Sequence, residues 1–142
     1  MAFREKIAWL TLVTMLVAYG IYFGIVGPAA GFGEGHMLNI VWSFGIVATG
    51  HAVAMIIGSI LLTVRATKEG SARADERDRA IARRGATVAY YVLLAGMLVV
   101  GMMMPFTEPP WKIVNAALLA VVVAEIVHTA VVLLSYRRGW HG

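Results

Sequence analysis

Cysteine is absent from this 142-residue chain, and charged residues are scarce. The lack of cysteine excludes disulfides, thiolate metal sites and thiol nucleophiles. Asp, Glu, Lys and Arg make up 14% of the sequence, whereas a soluble domain carries about 25%. Hydrophobic residues make up 60%. Because a soluble fold of this size could not bury so much apolar surface, the composition indicates a protein whose surface is solvated by lipid.

Four long apolar stretches account for this composition, at residues 7–26, 37–64, 85–104 and 111–136. Each meets or exceeds the roughly 20 residues that cross a hydrocarbon core about 30 Å thick. The first is longer than the apolar part of a signal peptide, about 7–15 residues, so we interpret it as a retained span. The sequence therefore predicts an all-α polytopic membrane protein: one domain over residues 1–142, folded as an antiparallel up-down bundle of four transmembrane helices.

The basic residues are distributed very unevenly between the two ends of these spans. Eleven of the twelve Lys and Arg residues lie at the N-terminus, in the segment 65–84 or at the C-terminus, and only Lys112 lies on the other side. By the positive-inside rule, both termini and the segment 65–84 are cytoplasmic. Topogenic charge also explains the basic pI of about 9.8, so we expect no nucleic-acid partner.

Tryptophan occurs near both predicted membrane surfaces. An indole ring favours the headgroup region because its body is apolar while its N–H seeks a partner. We interpret all four tryptophans as interface anchors and assign none to a ligand site: Trp9, Trp42, Trp111 and Trp140.

The segment 65–84 is the one sizeable polar connection. Its acidic residues Asp75, Glu76 and Asp78 suit the first turn of a helix, where the macrodipole favours negative charge, so we expect the third helix to begin well before the membrane. A solvated linker is the simplest interpretation of the segment. Its basic side chains could also bind anionic lipid headgroups or an acidic partner: Arg73, Arg77, Arg79, Arg83 and Arg84.

Small residues recur every four positions in three of the spans, a spacing that lets helix backbones approach closely in lipid. These positions predict packing faces within the bundle or against another copy of the chain. Whether the protein forms a homo-oligomer or joins a larger membrane complex stays open at this stage. The positions are Gly20 and Gly24; Gly50, Ala54 and Gly58; and Ala116, Ala120 and Ala124.

Three ionisable residues lie inside the predicted spans and are explained by neither solvation nor topology. They are His51 in the second span and Glu125 and His128 in the fourth. Titratable groups at such depth are costly and are therefore candidates for function. Glu125 and His128 are spaced i, i+3 and share a helix face. At 1.5 Å per residue, His51 and Glu125 lie at similar depths, roughly 20 and 16 Å from the cytoplasmic boundary, so a contact through the bundle axis is one option.

Several interpretations of this intramembrane group compete. In the simplest, the three side chains are hydrogen-bonded to each other and fix helix register. In a second, they form a proton- or ion-linked site, as in a channel or transporter. In a third, His51 and His128 are the axial ligands of a b-type haem, although their estimated depths differ by roughly 8 Å. A carboxylate-bridged metal site would need a second Glu-x-x-His, which the chain lacks, so we predict no metal site.

No nucleophile–base pair, phosphate-binding loop or zinc motif occurs in the sequence, so we predict that the protein is not an enzyme. The leading hypothesis is a non-enzymatic small membrane protein with a structural, accessory or regulatory role and no cofactor. The alternatives are the proton- or ion-linked channel or transporter and the haem protein described above.

The opening Phe3-Arg4-Glu5-Lys6-Ile7-Ala8-Trp9 resembles the Phe-x-Glu-Lys-x-Ala-Trp start of a family of small uncharacterised bacterial inner-membrane proteins. Asp75-Glu76-Arg77-Asp78, followed by Arg83-Arg84-Gly85, is similar to a second shared feature. The family's length and four spans imply a resemblance over most of the chain. It implies a bacterial inner (plasma) membrane location and brings no activity or catalytic residue with it.

Overall fold

A computed structural model describes residues 3–26, 37–68 and 76–138. Helix α1 spans Phe3–Ile21 and continues as a π-helical segment, Tyr22–Val26. Helix α2 spans Met37–Lys68. Helix α3 spans Glu76–Leu98 and continues through a π-helical segment, Val99–Met103, into a 3₁₀ turn, Met104–Phe106. Helix α4 spans Pro110–Arg137.

All four helices are long and apolar enough to cross a membrane. The described residues contain no β-strand. The predicted class, an all-α polytopic membrane protein with four spanning helices, is therefore confirmed. Helices dominate because a backbone in lipid must satisfy its own N–H and C=O groups.

Helices α1 and α3 both widen into a π-helical segment at the same end of the bundle. Each segment ends two residues before a proline, Pro28 or Pro105 in the sequence, and each contains a glycine four residues before that proline, Gly24 or Gly101. A proline ring displaces the carbonyl four positions earlier and cannot donate to it. The wider turn accommodates this displacement, which explains the π-helical segment of α3 before Pro105, and the sequence has the same glycine–proline spacing after α1.

Helix α2 runs on to Lys68, and helix α3 begins at Glu76 with Glu76 and Asp78 in its first turn. The helices thus occupy much of the predicted polar segment 65–84. The early start of α3 agrees with the macrodipole argument, because the two carboxylates lie where the helix N-terminus attracts negative charge. Arg73, predicted as part of the basic surface, lies outside the described residues.

The helices pack in the spatial order α2, α1, α4, α3. The main interfaces join α1 to α2, α1 to α4 and α4 to α3, whereas α2 and α3 make at most marginal contact. Two contacts show that α1 and α2 are antiparallel. Tyr22, after α1, donates to the carbonyl of Ile40 near the start of α2, whereas Leu10, early in α1, lies against Gly58 in the later part of α2. The bundle is therefore open between its second and third helices, and α1 and α4 form its centre.

The small-residue positions divide into two groups. A Cβ at Gly58 would come within 2.5 Å of Leu10, and one at Gly96 would come within 2.9 Å of Ala120, so these residues permit close helix contacts. Gly20, Gly24 and Gly50 have no such neighbour within 4 Å. Ala120 of the α4 stripe thus packs against Gly96 of α3, while Gly20 and Gly24 of the α1 GxxxG have no close neighbour among the described residues. A homo-oligomer stays a prediction.

Candidate functional site

A cavity of about 290 Å³ lies between α1, α3 and α4. It occupies the end of the bundle where α1 and α3 begin and α4 ends. Its wall is part polar and part aliphatic, with Ile7, Ala8, Ala82 and Val132 among the apolar residues. The polar lining residues are Arg4, Thr11, Asp78, Glu125, His128, Thr129 and Tyr136. The cavity therefore brings polar side chains of three helices into one place.

Glu125 and His128 form the deepest polar pair of this cavity. His128 Nδ1 lies 3.5 Å from Glu125 Oε2, and the two side chains are 35% and 57% exposed. That separation exceeds the 2.7–3.2 Å of a good N–H···O hydrogen bond, so the contact is weak. Glu125 lies eleven residues from Tyr136, roughly 16 Å along the helix. The cavity therefore reaches a carboxylate near the middle of α4.

The hydroxyl groups beside this pair donate hydrogen bonds to backbone carbonyls of their own helices. Thr129 donates to the carbonyl of Glu125 at 3.0 Å, and Thr11 donates to the carbonyl of Ile7 at 3.0 Å. Such i−4 bonds satisfy a hydroxyl within lipid. Within the part of the chain that the structure describes, the Glu125 carboxylate thus pairs with His128 and with no Lys or Arg side chain.

His128 is held by close packing against α3. A Cβ on Gly85 would lie 2.6 Å from His128 Cδ2 and 2.8 Å from Val132 Cγ2. Gly85 is buried, and the missing side chain leaves the room that the imidazole occupies. The position of His128 therefore depends on a glycine of the neighbouring helix.

The mouth of the cavity carries a second polar cluster. The Tyr136 hydroxyl donates to Asp78 Oδ1 at 2.6 Å and so links the end of α4 to the start of α3. Arg4, from the start of α1, also interacts electrostatically with Tyr136. Arg4 and Asp78 therefore bring opposite charges to the mouth, while the basic residue beside Glu125 is His128.

His51 belongs to a different contact, between α1 and α2. Its Nε2 lies 3.2 Å from Thr14 Oγ1, and Thr14 also donates to the carbonyl of Leu10 at 2.8 Å. A hydroxyl has one proton, so a Thr14 hydroxyl that donates to Leu10 accepts from the His51 tautomer protonated at Nε2. His51 does not line the cavity. The structure brings Glu125 and His128 together and pairs His51 with Thr14.

Tyr19 of α1 packs against His51. Its ring meets the imidazole edge-on, with the ring centroids 5.5 Å apart. The His51 contact therefore includes an aromatic ring of α1 as well as Thr14.

Beyond Glu125, toward the other end of the bundle, Tyr22 of α1 joins α2 and α4. Tyr22 is fully buried and donates to the carbonyl of Ile40 at 3.3 Å. Its hydroxyl also lies 3.5 Å from Asn115 Oδ1 of α4. Met15 and Val122 are buried between the cavity and this junction. The polar lining therefore belongs to one half of the bundle.

A bis-His haem does not fit this arrangement. Its two ligands must face one space, but His128 lines the cavity, whereas His51 lies outside it and bonds Thr14. Among the described residues, no three His, Asp or Glu side chains cluster closely enough to hold a metal ion.

The remaining predicted residues lie at the helix ends or on the outer surface. Arg79, Arg83 and Arg84 are exposed on the first turns of α3, and Arg77 is half-buried there. Trp42 is 74% exposed, whereas the Trp9 ring lies under Arg137, 5.2 Å from its guanidinium carbon. Trp111 is half-buried at the start of α4, and Trp140 lies outside the described residues. Their roles as lipid-facing and interface residues stay predictions.

Sequence reasoning missed Asn115 and the roles of Arg4, Asp78, Tyr19 and Tyr136. The sequence indicates Asp78 only as an acidic residue in the first turn of α3. Asn115 is a polar residue inside a span, so the reasoning that selected His51, Glu125 and His128 applies to it as well. One signal for Asp78 and Tyr136 was available, because a carboxylate at the start of one helix can meet a phenol at the end of its antiparallel neighbour.

The fold and cavity define a class: an all-α membrane protein with four spanning helices and a polar cavity in one half of the bundle. The chain belongs to the family described as "Predicted membrane protein (DUF2178)", whose model matches residues 5–140. The expected relation to an uncharacterised membrane protein family is thereby confirmed. No curated protein and no solved structure matches the sequence.

Proposed function

We propose that this protein is a non-enzymatic membrane protein with an accessory or regulatory role, in which the cavity is a sensing site. The observation that carries the proposal is the position of Glu125 and His128 at the floor of a cavity lined from one end of the bundle. A polar space confined to one half of the bundle suits binding and response better than passage. An intramembrane carboxylate with a weak partner is costly, and a role in sensing explains why it is there.

We infer a bacterial inner-membrane location with both termini in the cytoplasm, because eleven of the twelve basic residues lie at the corresponding helix ends. In this orientation the cavity mouth, with Arg4, Asp78 and Tyr136, faces the cytoplasm. A signal would then reach Glu125 from inside the cell. Occupancy of the floor would change packing between α4 and α3 through His128 and Gly85.

Cysteine labelling tests one-sided access, because the chain has no cysteine of its own. A membrane-impermeant maleimide should label Thr129→Cys in inverted membrane vesicles and not in intact spheroplasts. Val123→Cys, on the exposed apolar surface of α4, is the matched control and should resist labelling from both sides. Labelling of Thr129→Cys from the outer side, or from neither side, would contradict the proposal.

The accessory role is tested by purification from native membranes in mild detergent. We expect a tagged protein to retain a membrane partner or a second copy of itself. Recovery of the chain alone, with the same thermal stability as in the membrane, would count against an obligate partner.

Proton- or ion-linked permeation is the second candidate, favoured by the contact of Tyr19 with His51 and by the Glu125–His128 pair on the neighbouring α4. These residues would form a relay across α1 from the cavity to the α1–α2 interface. The test is proton flux into liposomes containing the purified protein. Flux that Glu125→Gln leaves unchanged would remove this candidate, and flux that Glu125→Gln abolishes would favour it over the sensing role.

A further inference from the structure

We propose that the cavity binds a small organic ammonium ion, with Glu125 as its counter-ion. The inference deepens the proposed function, because it names the ligand class of the same sensing site. Three observations carry it: the charge balance of the lining, the size of the cavity and the nature of its walls.

The charge balance favours a cation at the floor. Arg4 and Asp78 bring opposite charges to the mouth. The Glu125 carboxylate, 57% exposed, has the His128 imidazole 3.5 Å away and no Lys or Arg ion pair among the described residues. Because a carboxylate that faces the low-dielectric interior of a membrane is costly, a positively charged ligand at Glu125 would gain binding energy that a neutral or anionic ligand lacks.

The size of the cavity suits a small ligand. Its volume is about 290 Å³. Pockets for drug-sized ligands run from about 300 to 1,000 Å³. The cavity therefore lies at the lower end of this range, where a short-chain ammonium ion fits.

The walls supply a place for the alkyl part of such an ion. Ile7, Ala8, Ala82 and Val132 present aliphatic groups around the carboxylate. The hydroxyls of Thr11 and Thr129 are bonded to their own helices, so they offer few free donors to an anion. A bare inorganic cation would leave these aliphatic walls unused, and it would lack the multiple oxygen ligands that Mg²⁺ or Ca²⁺ require.

The binding test uses butylammonium chloride and protein in phosphatidylglycerol nanodiscs, with thermal unfolding as the readout. A ligand that binds only the folded state raises stability with its concentration. We expect a saturable rise in Tm with butylammonium and none with 1-butanol or butyrate at equal concentration. Equal shifts with 1-butanol, or no saturable shift with butylammonium, would overturn the proposal.

Two pairs of variants locate the site. Glu125→Gln should weaken butylammonium binding at least tenfold. Glu108→Gln, which removes a carboxylate paired with Lys112 outside the cavity, should leave butylammonium binding unchanged.

The second pair of variants serves if Glu125→Gln fails to fold, because Ala82→Leu fills the cavity and keeps the carboxylate. It should abolish binding, while Ala86→Leu, one turn along α3 and outside the cavity lining, should retain it. Equal binding by Ala82→Leu and Ala86→Leu would overturn the assignment.

An ammonium group could reach Glu125 from the cytoplasm or from a lipid headgroup. Adding phosphatidylethanolamine to the nanodiscs distinguishes the two sources, because a lipid ammonium would compete and raise the apparent Kd of butylammonium at least threefold. An unchanged Kd assigns the site to a soluble ion, and both results support ammonium binding. If Thr129→Cys is labelled from the cytoplasmic side but butylammonium neither binds nor slows that labelling, the ligand class is wrong and the sensing cavity stands.

Discussion

His128 of α4 lies directly on Gly85 of α3, and no side chain fits between them: a Cβ at Gly85 would come within 2.6 Å of His128 Cδ2. Val132 Cγ2 would be 2.8 Å away. The glycine thus determines how closely α3 approaches the helix that carries Glu125. Close packing against Gly85 fixes the position of His128 as much as its polar contact with Glu125 does.

Gly85→Ala should destabilise the protein by about 1–3 kcal/mol, as overpacking of a tight contact does. Gly20→Ala is the matched control, since a Cβ there meets nothing within 4 Å, and it should be neutral or stabilising by up to about 1 kcal/mol. The measurement is reversible unfolding by sodium dodecyl sulfate in mixed micelles. Equal stability of the two variants would mean that α3 and α4 are not in contact at this level.

Tyr136→Phe removes the hydroxyl that donates to Asp78 at 2.6 Å. Hydrogen bonds to a charged group contribute about 1.5–3 kcal/mol, and partial exposure at the helix ends favours the lower value. Asp78→Asn should cost more than Tyr136→Phe, because Asp78 has further interactions. Tyr90→Phe, at an exposed position, should cost nothing measurable. A double-mutant cycle that gives no coupling between Asp78 and Tyr136 would contradict the contact.

The four helices could be predicted from the sequence because lipid imposes their length and apolarity residue by residue. The cavity could not, because it depends on which helices touch and in what register. Asp78 and Tyr136 lie 58 positions apart, and their contact can be expected only once α3 and α4 are known to be antiparallel neighbours. Depth along each helix can be counted, but the direction in which a side chain points around the bundle cannot.

His51 illustrates this difference. Its depth in the sequence predicts a contact with Glu125 of the fourth span, since both residues lie near mid-membrane. In the structure, α1 is central and contacts both α2 and α4, so Thr14 of α1 meets the imidazole first. Sequence periodicity on nearly uniformly apolar helices does not reveal which helix occupies the centre.

The orientation is tested with reporter fusions, because it follows from charge distribution alone. Alkaline phosphatase, which folds outside the cytoplasm, should be active when fused after Thr107 and inactive when fused after Gly142. Green fluorescent protein should be fluorescent when fused after Gly142. Active phosphatase at Gly142 would reverse the orientation, and the cavity mouth would then face away from the cytoplasm.

The contact between His51 and Thr14 should join α1 to α2 without supporting the cavity. Hydrogen bonds between membrane helices average about 0.6 kcal/mol in double-mutant cycles, so we expect a coupling of that size between His51→Ala and Thr14→Val. Thr14→Ser keeps the hydroxyl at the same position and should retain the coupling with His51. The cavity lining does not include His51, so His51→Ala should leave butylammonium binding and Thr129→Cys labelling unchanged. Loss of butylammonium binding in His51→Ala would instead tie the two polar contacts together through Tyr19 and favour the relay.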